Sequence, residues 1–160
     1  MGEMPSRKGA IVGYRNGLQA PIVGPVSNRT EAGSHRTLIV DDDDVIALGL
    51  KDFLNLRGLQ THSARDYAAA RTLMSASRYA VALVDVIGTG DDLENGLEFV
   101  RWVRRSWPET TVVVLTAYRT AWLDELALAA GVSHVFDKPK PFDEIVELVL
   151  ALGPEPEPVC

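Results

Sequence analysis

A single cysteine, Cys160, occurs in 160 residues, and it is the last one. An intrachain disulfide is therefore excluded, and so is a metal cage built on thiolates. A reducing, cytoplasmic setting is the expectation. Long apolar runs are also missing: no stretch approaches the roughly 18 to 20 residues that a membrane helix needs. The opening "MGEMPSRKGAIVGYRNG" lacks the unbroken apolar segment of a secretory signal. No membrane partner is expected. Positive charge is scarce where nucleic-acid binding would need it. Residues 1–36 hold five Lys or Arg against two Glu, a balance of +3, whereas residues 37–160 hold eleven against twenty acids, a balance of −9. So acidic a segment is a poor match for phosphate backbones, and no nucleic-acid partner is expected.

What the chain does have is a regular alternation. Apolar residues make up 46% of it, enough for one real core. Residues 1–35 are rich in Gly, Pro, Ser, Asn and Arg and are expected to form a flexible N-terminal extension. Residues 153–160 form a Pro and Glu tail, leaving 36–152 as the folded domain. Within it, "TLIV", "LQTHSA", "YAVALVDV", "TTVVVLTA" and "SHVFD" read as strands. "YAVALVDV" and "TTVVVLTA" are nearly continuous apolar or β-branched runs, as expected of strands covered on both faces.

Between and after the strands lie five helical patterns. Ile46, Leu50, Phe53 and Leu54 recur at helical spacing before Gly58, and Tyr67, Ala70, Leu73 and Met74 share one face of an Ala-rich segment. Phe99, Val100, Val103 and Trp107 form a third stripe, with Arg101, Arg104 and Arg105 expected on its solvent side. "TAWLDELALAAG" closes at Gly131, and "PFDEIVELVLAL" starts at Pro141 with Phe142, Ile145, Val146 and Val149 facing inward. Alternating units of this length predict an α/β domain: a doubly wound five-stranded parallel sheet with five helices. Ligand sites in such sheets lie beyond the carboxyl ends of the strands, near the point where strand order reverses.

The strand ends hold a short and chemically coherent set. The first strand ends in Asp41 and Asp42, the third in Asp85, the fourth in Thr116, and the fifth runs into Lys138. Each alone has an ordinary explanation as a turn residue, cap or β-former. Together they place three carboxylates, a hydroxyl and an ammonium on one sheet edge, after runs that otherwise carry no charge. Carboxylates suit a hard cation such as Mg²⁺, and Thr with Lys supplies donors for a tetrahedral anion. Asp43 and Asp44 read instead as the turn and cap that start the first helix.

At these positions residues 37 to about 152 resemble the receiver domain of two-component response regulators, with "LIVDDD", "ALVDV", "VVLTA" and "DKP" in order and at about the family's spacing. The resemblance implies a flavodoxin-like receiver fold. It also implies a phospho-acceptor domain, not an enzyme, taking a phosphoryl group from a histidine kinase or histidine phosphotransfer protein onto Asp85 and switching contact with a downstream protein. Asp41, Asp42, Asp85 and the backbone carbonyl of Ile87 would hold Mg²⁺ or Mn²⁺. Thr116 and Lys138 would bind the phosphoryl group, with a cis Lys138–Pro139 bond. Lys140 is a rival for Lys138, but Lys138 stands at the family's usual interval after Thr116.

Three departures from the family pattern carry consequences. The loop 87–95 after Asp85, within "DVIGTGDDLENGLEF", is about three residues longer than usual and adds Asp91, Asp92 and Glu94 near the site. Val135 stands where the family commonly has Tyr or Phe, so the usual aromatic read-out is missing. Phe136 is expected on the other side of the strand. Ile87 and Tyr118, at the positions that tune hydrolysis, predict slow self-dephosphorylation. Two alternatives are a degenerate receiver that binds partners without phosphorylation and a haloacid dehalogenase-type phosphatase. The second rests on "DVIGTGDD" as a near miss to "DxDGT", with Ile87 where a second aspartate is required.

Overall fold

The structure, a computed structural model, describes residues 36–87, 90–132, 134–138 and 141–153. The expected N-terminal extension, most of the expected tail, the Lys138–Pro139 bond and Lys140 lie outside the described residues. The elements alternate as β1 (Arg36–Val40), α1 (Asp44–Leu56), β2 (Gln60–Ala64), α2 (Tyr67–Ala76), β3 (Val81–Asp85), α3 (Gly90–Ser106), β4 (Thr111–Thr116), α4 (Ala121–Ala129), β5 (His134–Asp137) and α5 (Phe142–Leu152). All pairings are parallel, in the order β2-β1-β3-β4-β5. The expected five-stranded parallel sheet with five helices is what the chain forms.

Strand alternation divides the core in two. Ile39, Val81, Leu83, Val113 and Leu115 point to one face, where Leu50 and Leu54 of α1 and Ile145, Val146 and Val149 of α5 cover them. Leu38, Val40, Ala82, Val84, Val112 and Val114 point to the other, against Met74 of α2, Val100 and Val103 of α3 and Leu123 of α4. A strand buried on both sides has no polar face to offer, which explains its continuous apolar run. Polar residues can therefore enter β1, β3 and β4 only at their ends.

Helix boundaries follow local chemistry. The side chain of Asp43 accepts from the backbone N–H groups of Val45 and Ile46 and caps α1. Asp66 and Thr120 cap α2 and α4 in the same way. Gly58 and Gly131 follow α1 and α4 with φ of +88° and +94°, a left-handed turn that costs glycine little.

Two expectations are corrected. The segment 87–95 is not a long loop, because α3 already begins at Gly90. Leu93 and Leu97, four residues apart and both buried, continue the stripe of Val100 and Val103, so packing carries the helix back toward the sheet. Arg104 is not simply solvated: it donates to the carbonyls of Pro108 and Thr110 at 3.2 and 2.9 Å and ties down the chain beyond α3. Arg101 pairs with Glu94 at 3.0 Å on the exposed side of the same helix.

Candidate functional site

In the order β2-β1-β3-β4-β5 the strand sequence reverses between β1 and β3, so their carboxyl ends form the switch point. Val40 pairs with Val84, which sets Asp41 beside Asp85. Asp85 pairs in turn with Leu115, one residue before Thr116, and Thr116 with Asp137, one residue before Lys138. A backbone bond from Lys138 N–H to the Thr116 carbonyl, 2.8 Å, extends the β4–β5 ladder to that edge.

Each carboxylate of Asp41, Asp42 and Asp85 offers an oxygen, and these oxygens lie within 4.8 Å of one another. Asp41 is 3% exposed, the Asp85 side chain is mostly buried and Asp42 is open to solvent. Lys138 bridges two of them, with Nζ 3.0 Å from Asp41 and 3.4 Å from Asp85. One Asp41 oxygen also accepts from the backbone N–H of Asp43 at 2.9 Å. The other, Oδ2, is buried and has no hydrogen bond of acceptable geometry, although it lies at ion-pair distance from the ammonium. A buried, incompletely satisfied carboxylate oxygen facing two further carboxylates is the donor set of a hard cation.

Electrostatics sharpen the picture. Burial raises the Asp85 pKa, the Asp41 charge raises it further, and Lys138 lowers it only in part, leaving the carboxyl near 6. Burial lowers the Lys138 pKa, but the hydrogen bond to Asp41 and the charges of Asp85 and Asp41 more than reverse this, so the ammonium is held charged.

The remaining sequence-predicted residues take distinct places. Thr116 is fully buried, and its hydroxyl oxygen accepts from the Tyr118 backbone N–H at 3.1 Å. Ile87 is half exposed and lines a cleft of about 130 Å³ together with Asp41, Asp42, Asp85, Arg65 and Tyr67. Of the other acids in "DDDD", Asp43 is the cap and Asp44 is the first residue of α1, paired with Arg65 at 2.5 Å. Of the acids added after Asp85, Asp92 lines a neighbouring cavity of about 430 Å³, while Glu94 is engaged by Arg101. Val135 is buried on the α4 side of the sheet, and Phe136 packs on the α1 and α5 side, as alternation requires. Tyr67, read from the sequence as a core residue of α2, reaches the site: its hydroxyl donates to the Asp85 backbone carbonyl at 2.9 Å. A helical tyrosine at core spacing carries no sequence signal for such a role.

A doubly wound parallel sheet with an acidic triad and a bridging lysine at its switch point defines a class of α/β domains whose strand-end carboxylates can hold a cation. Comparison with known proteins makes this specific. The sequence pattern of the response regulator receiver domain matches residues 37–150, and the chain belongs to that family. It is 33% identical over 133 residues to the photosynthetic apparatus regulatory protein RegA of Rhodobacter capsulatus, spanning 79% of this chain and 70% of RegA. It is 32% identical over 115 residues to the response regulator protein PilR of Pseudomonas aeruginosa, covering 71% of this chain but 25% of PilR. Among solved structures, a response regulator from Thermotoga maritima superposes with a TM-score of 0.67 at 26% identity, over 73% of this chain and 95% of that one. A Burkholderia pseudomallei response regulator, solved with a phosphorylated aspartic acid and a calcium ion, gives 0.63 at 26% identity, over 73% and 65%. Among the described residues no helix is long and apolar enough to cross a membrane.

Proposed function

We propose that this chain is a phospho-acceptor switch in which Asp85 takes a phosphoryl group from a histidine kinase or histidine phosphotransfer protein. The observation that carries this reading is the ion bridge from Lys138 to both Asp41 and Asp85 inside a triad of carboxylates. Lys138 alone leaves the triad net negative, a poor place for an incoming phosphoryl group unless a divalent cation joins it. Asp41, Asp42, Asp85 and the backbone carbonyl of Ile87 would hold Mg²⁺, or Mn²⁺. When bound, the cation supplies charge neutralisation and orientation for in-line transfer.

The chain's own residues account for the rest. With its carboxyl near 6, Asp85 is ionised at neutral pH and more basic than an ordinary aspartate. An Asp85 oxygen attacks phosphorus as the phosphorus–nitrogen bond of the donor imidazole breaks, and that nitrogen keeps the electron pair. Lys138 then pairs with the phosphoryl oxygens in place of the carboxylate charge, and the Thr116 hydroxyl donates to one of them. Because the Thr116 oxygen also accepts from the Tyr118 N–H, its movement toward the phosphoryl group shifts Tyr118. Tyr118 and Trp122 are exposed on the β4–α4 loop and α4, where a downstream protein can read the change without an aromatic at Val135. The reading places the protein in the cytoplasm, beside its kinase.

Incubation with acetyl phosphate, or with beryllofluoride, in the presence of Mg²⁺ tests the proposal, with Asp85→Asn as control. An adduct that depends on Asp85 is expected. Its absence would leave a phosphorylation-independent interaction module.

A further inference from the structure

Tyr67 opens α2 and stands half-buried between the acid cluster and α3. Its ring stacks on Phe99 with centroids 5.1 Å apart and planes 20° from parallel, while its hydroxyl donates to the Asp85 carbonyl. The opposite end of the same peptide is also fixed, because the Val86 N–H donates to the Leu115 carbonyl at 2.9 Å. A planar peptide held at both its oxygen and its nitrogen has little freedom to rotate. That peptide sets the direction of the Asp85 side chain on one side and of the Ile87 backbone on the other.

The space for this contact is provided by α3. A Cβ at position 96 would lie 2.8 Å from the Tyr67 hydroxyl oxygen and 3.1 Å from a Val86 methyl, so glycine at 96 is what allows the hydroxyl to reach the carbonyl. Gly96, Tyr67 and the 85–86 peptide form one interlocked contact.

We propose that Tyr67 is a positioning residue for the phosphoryl acceptor, holding the 85–86 peptide so that the Asp85 carboxylate and the Ile87 carbonyl face one cation together. The inference rests on the functional reading above but is tested separately from it. Tyr67→Phe keeps the stacking ring and removes only the hydroxyl. Mg²⁺ affinity, the rate of acetyl phosphate-driven modification and the thermal midpoint are measured on the full chain. Both Mg²⁺ affinity and rate are expected to fall roughly three- to tenfold, and the thermal midpoint of the metal-free protein by no more than the few degrees that one lost hydrogen bond costs. Gly96→Ala is expected to reproduce the loss of affinity, but to add nothing to it in a Tyr67→Phe background. If Gly96→Ala does not fold, Tyr67→Phe decides alone.

Mg²⁺ affinity of Tyr67→Phe within about twofold of wild type would overturn the inference, because the hydroxyl would then contribute less than a hydrogen bond. A fall in the metal-free thermal midpoint with Mg²⁺ affinity and rate unchanged would overturn it as well, marking a packing role. A wild-type chain that binds Mg²⁺ yet accepts no phosphoryl group would refute the functional reading, and the affinity comparison would still decide the role of Tyr67. A wild-type chain that binds no Mg²⁺ would refute both.

Discussion

Replacing Asp85 by Asn should make the metal-free protein more stable, although it removes the proposed phosphoryl acceptor. The Asp85 carboxyl titrates near 6 instead of 3.8, chiefly because it is buried and faces Asp41. At about 1.4 kcal/mol per tenfold change in proton affinity, keeping it ionised at neutral pH costs the fold up to about 3 kcal/mol. Its side chain is only 12% exposed, so solvent screening removes part of that cost and not all of it. Asparagine has the shape of the protonated acid and carries no such cost. A gain of about 1–3 kcal/mol, or roughly 4–12 °C in thermal midpoint for a domain of this size, is expected at about pH 7.5 in chelator. The sign with pH follows from the direction of the shift. A folded pKa above the unfolded one means the folded chain holds the extra proton between about 4 and 6, so this contribution is full below that window and is lost as pH rises through it. The advantage of the variant should therefore vanish near pH 4, where both forms are neutral. It should also close when Mg²⁺ is added, since a ligand at about a hundred times its Kd stabilises by about 2.7 kcal/mol and only wild type keeps the full donor set. A variant no more stable than wild type at neutral pH without metal would refute the electrostatic account of the site.

Lys138→Met leaves the Asp41 carboxylate buried without its cation and should cost the metal-free protein about 3 kcal/mol, with Mg²⁺ restoring more stability than it adds to wild type; urea titrations with and without Mg²⁺ check this. Asp43→Ala removes the α1 cap and should cost about 1 kcal/mol without altering Mg²⁺ affinity, which separates the two halves of "DDDD". Once formed, the phosphorylated protein should decay slowly, because Ile87 and Tyr118 supply no group that activates water; retention of radiolabel over time measures it, and decay as fast as in the quickest chemotaxis regulators would contradict the assignment.

The sheet was legible because its strands are buried on both faces: "ALVDV" and "VVVLT" leave no doubt about where apolar sequence stops and charge begins. Once parallel strands are inferred, Asp41, Asp42, Asp85, Thr116 and Lys138 fall on one edge by topology alone, and the register places them there. The start of α3 was not legible, because glycine and aspartate at 90–92 favour turns locally and the helix is settled by burial of Leu93 and Leu97. Arg104 was misplaced for a related reason: helical spacing fixes a side chain's face but not how far it reaches past the helix end. Tyr67 shows the same limit at the site, since its contact with Asp85 requires a gap left by Gly96 on another helix, and no periodicity within α2 records that gap.

The bridge between Asp41 and Lys138 joins positions 97 residues apart. Synthesis runs from the N-terminus, so all three carboxylates leave the ribosome well before the lysine that balances two of them. Until β5 docks beside β4, Asp41 and Asp85 lack the ammonium that bridges them. On the proposed function, a chain in which β5 has not joined the sheet would lack the ammonium that the acceptor site depends on.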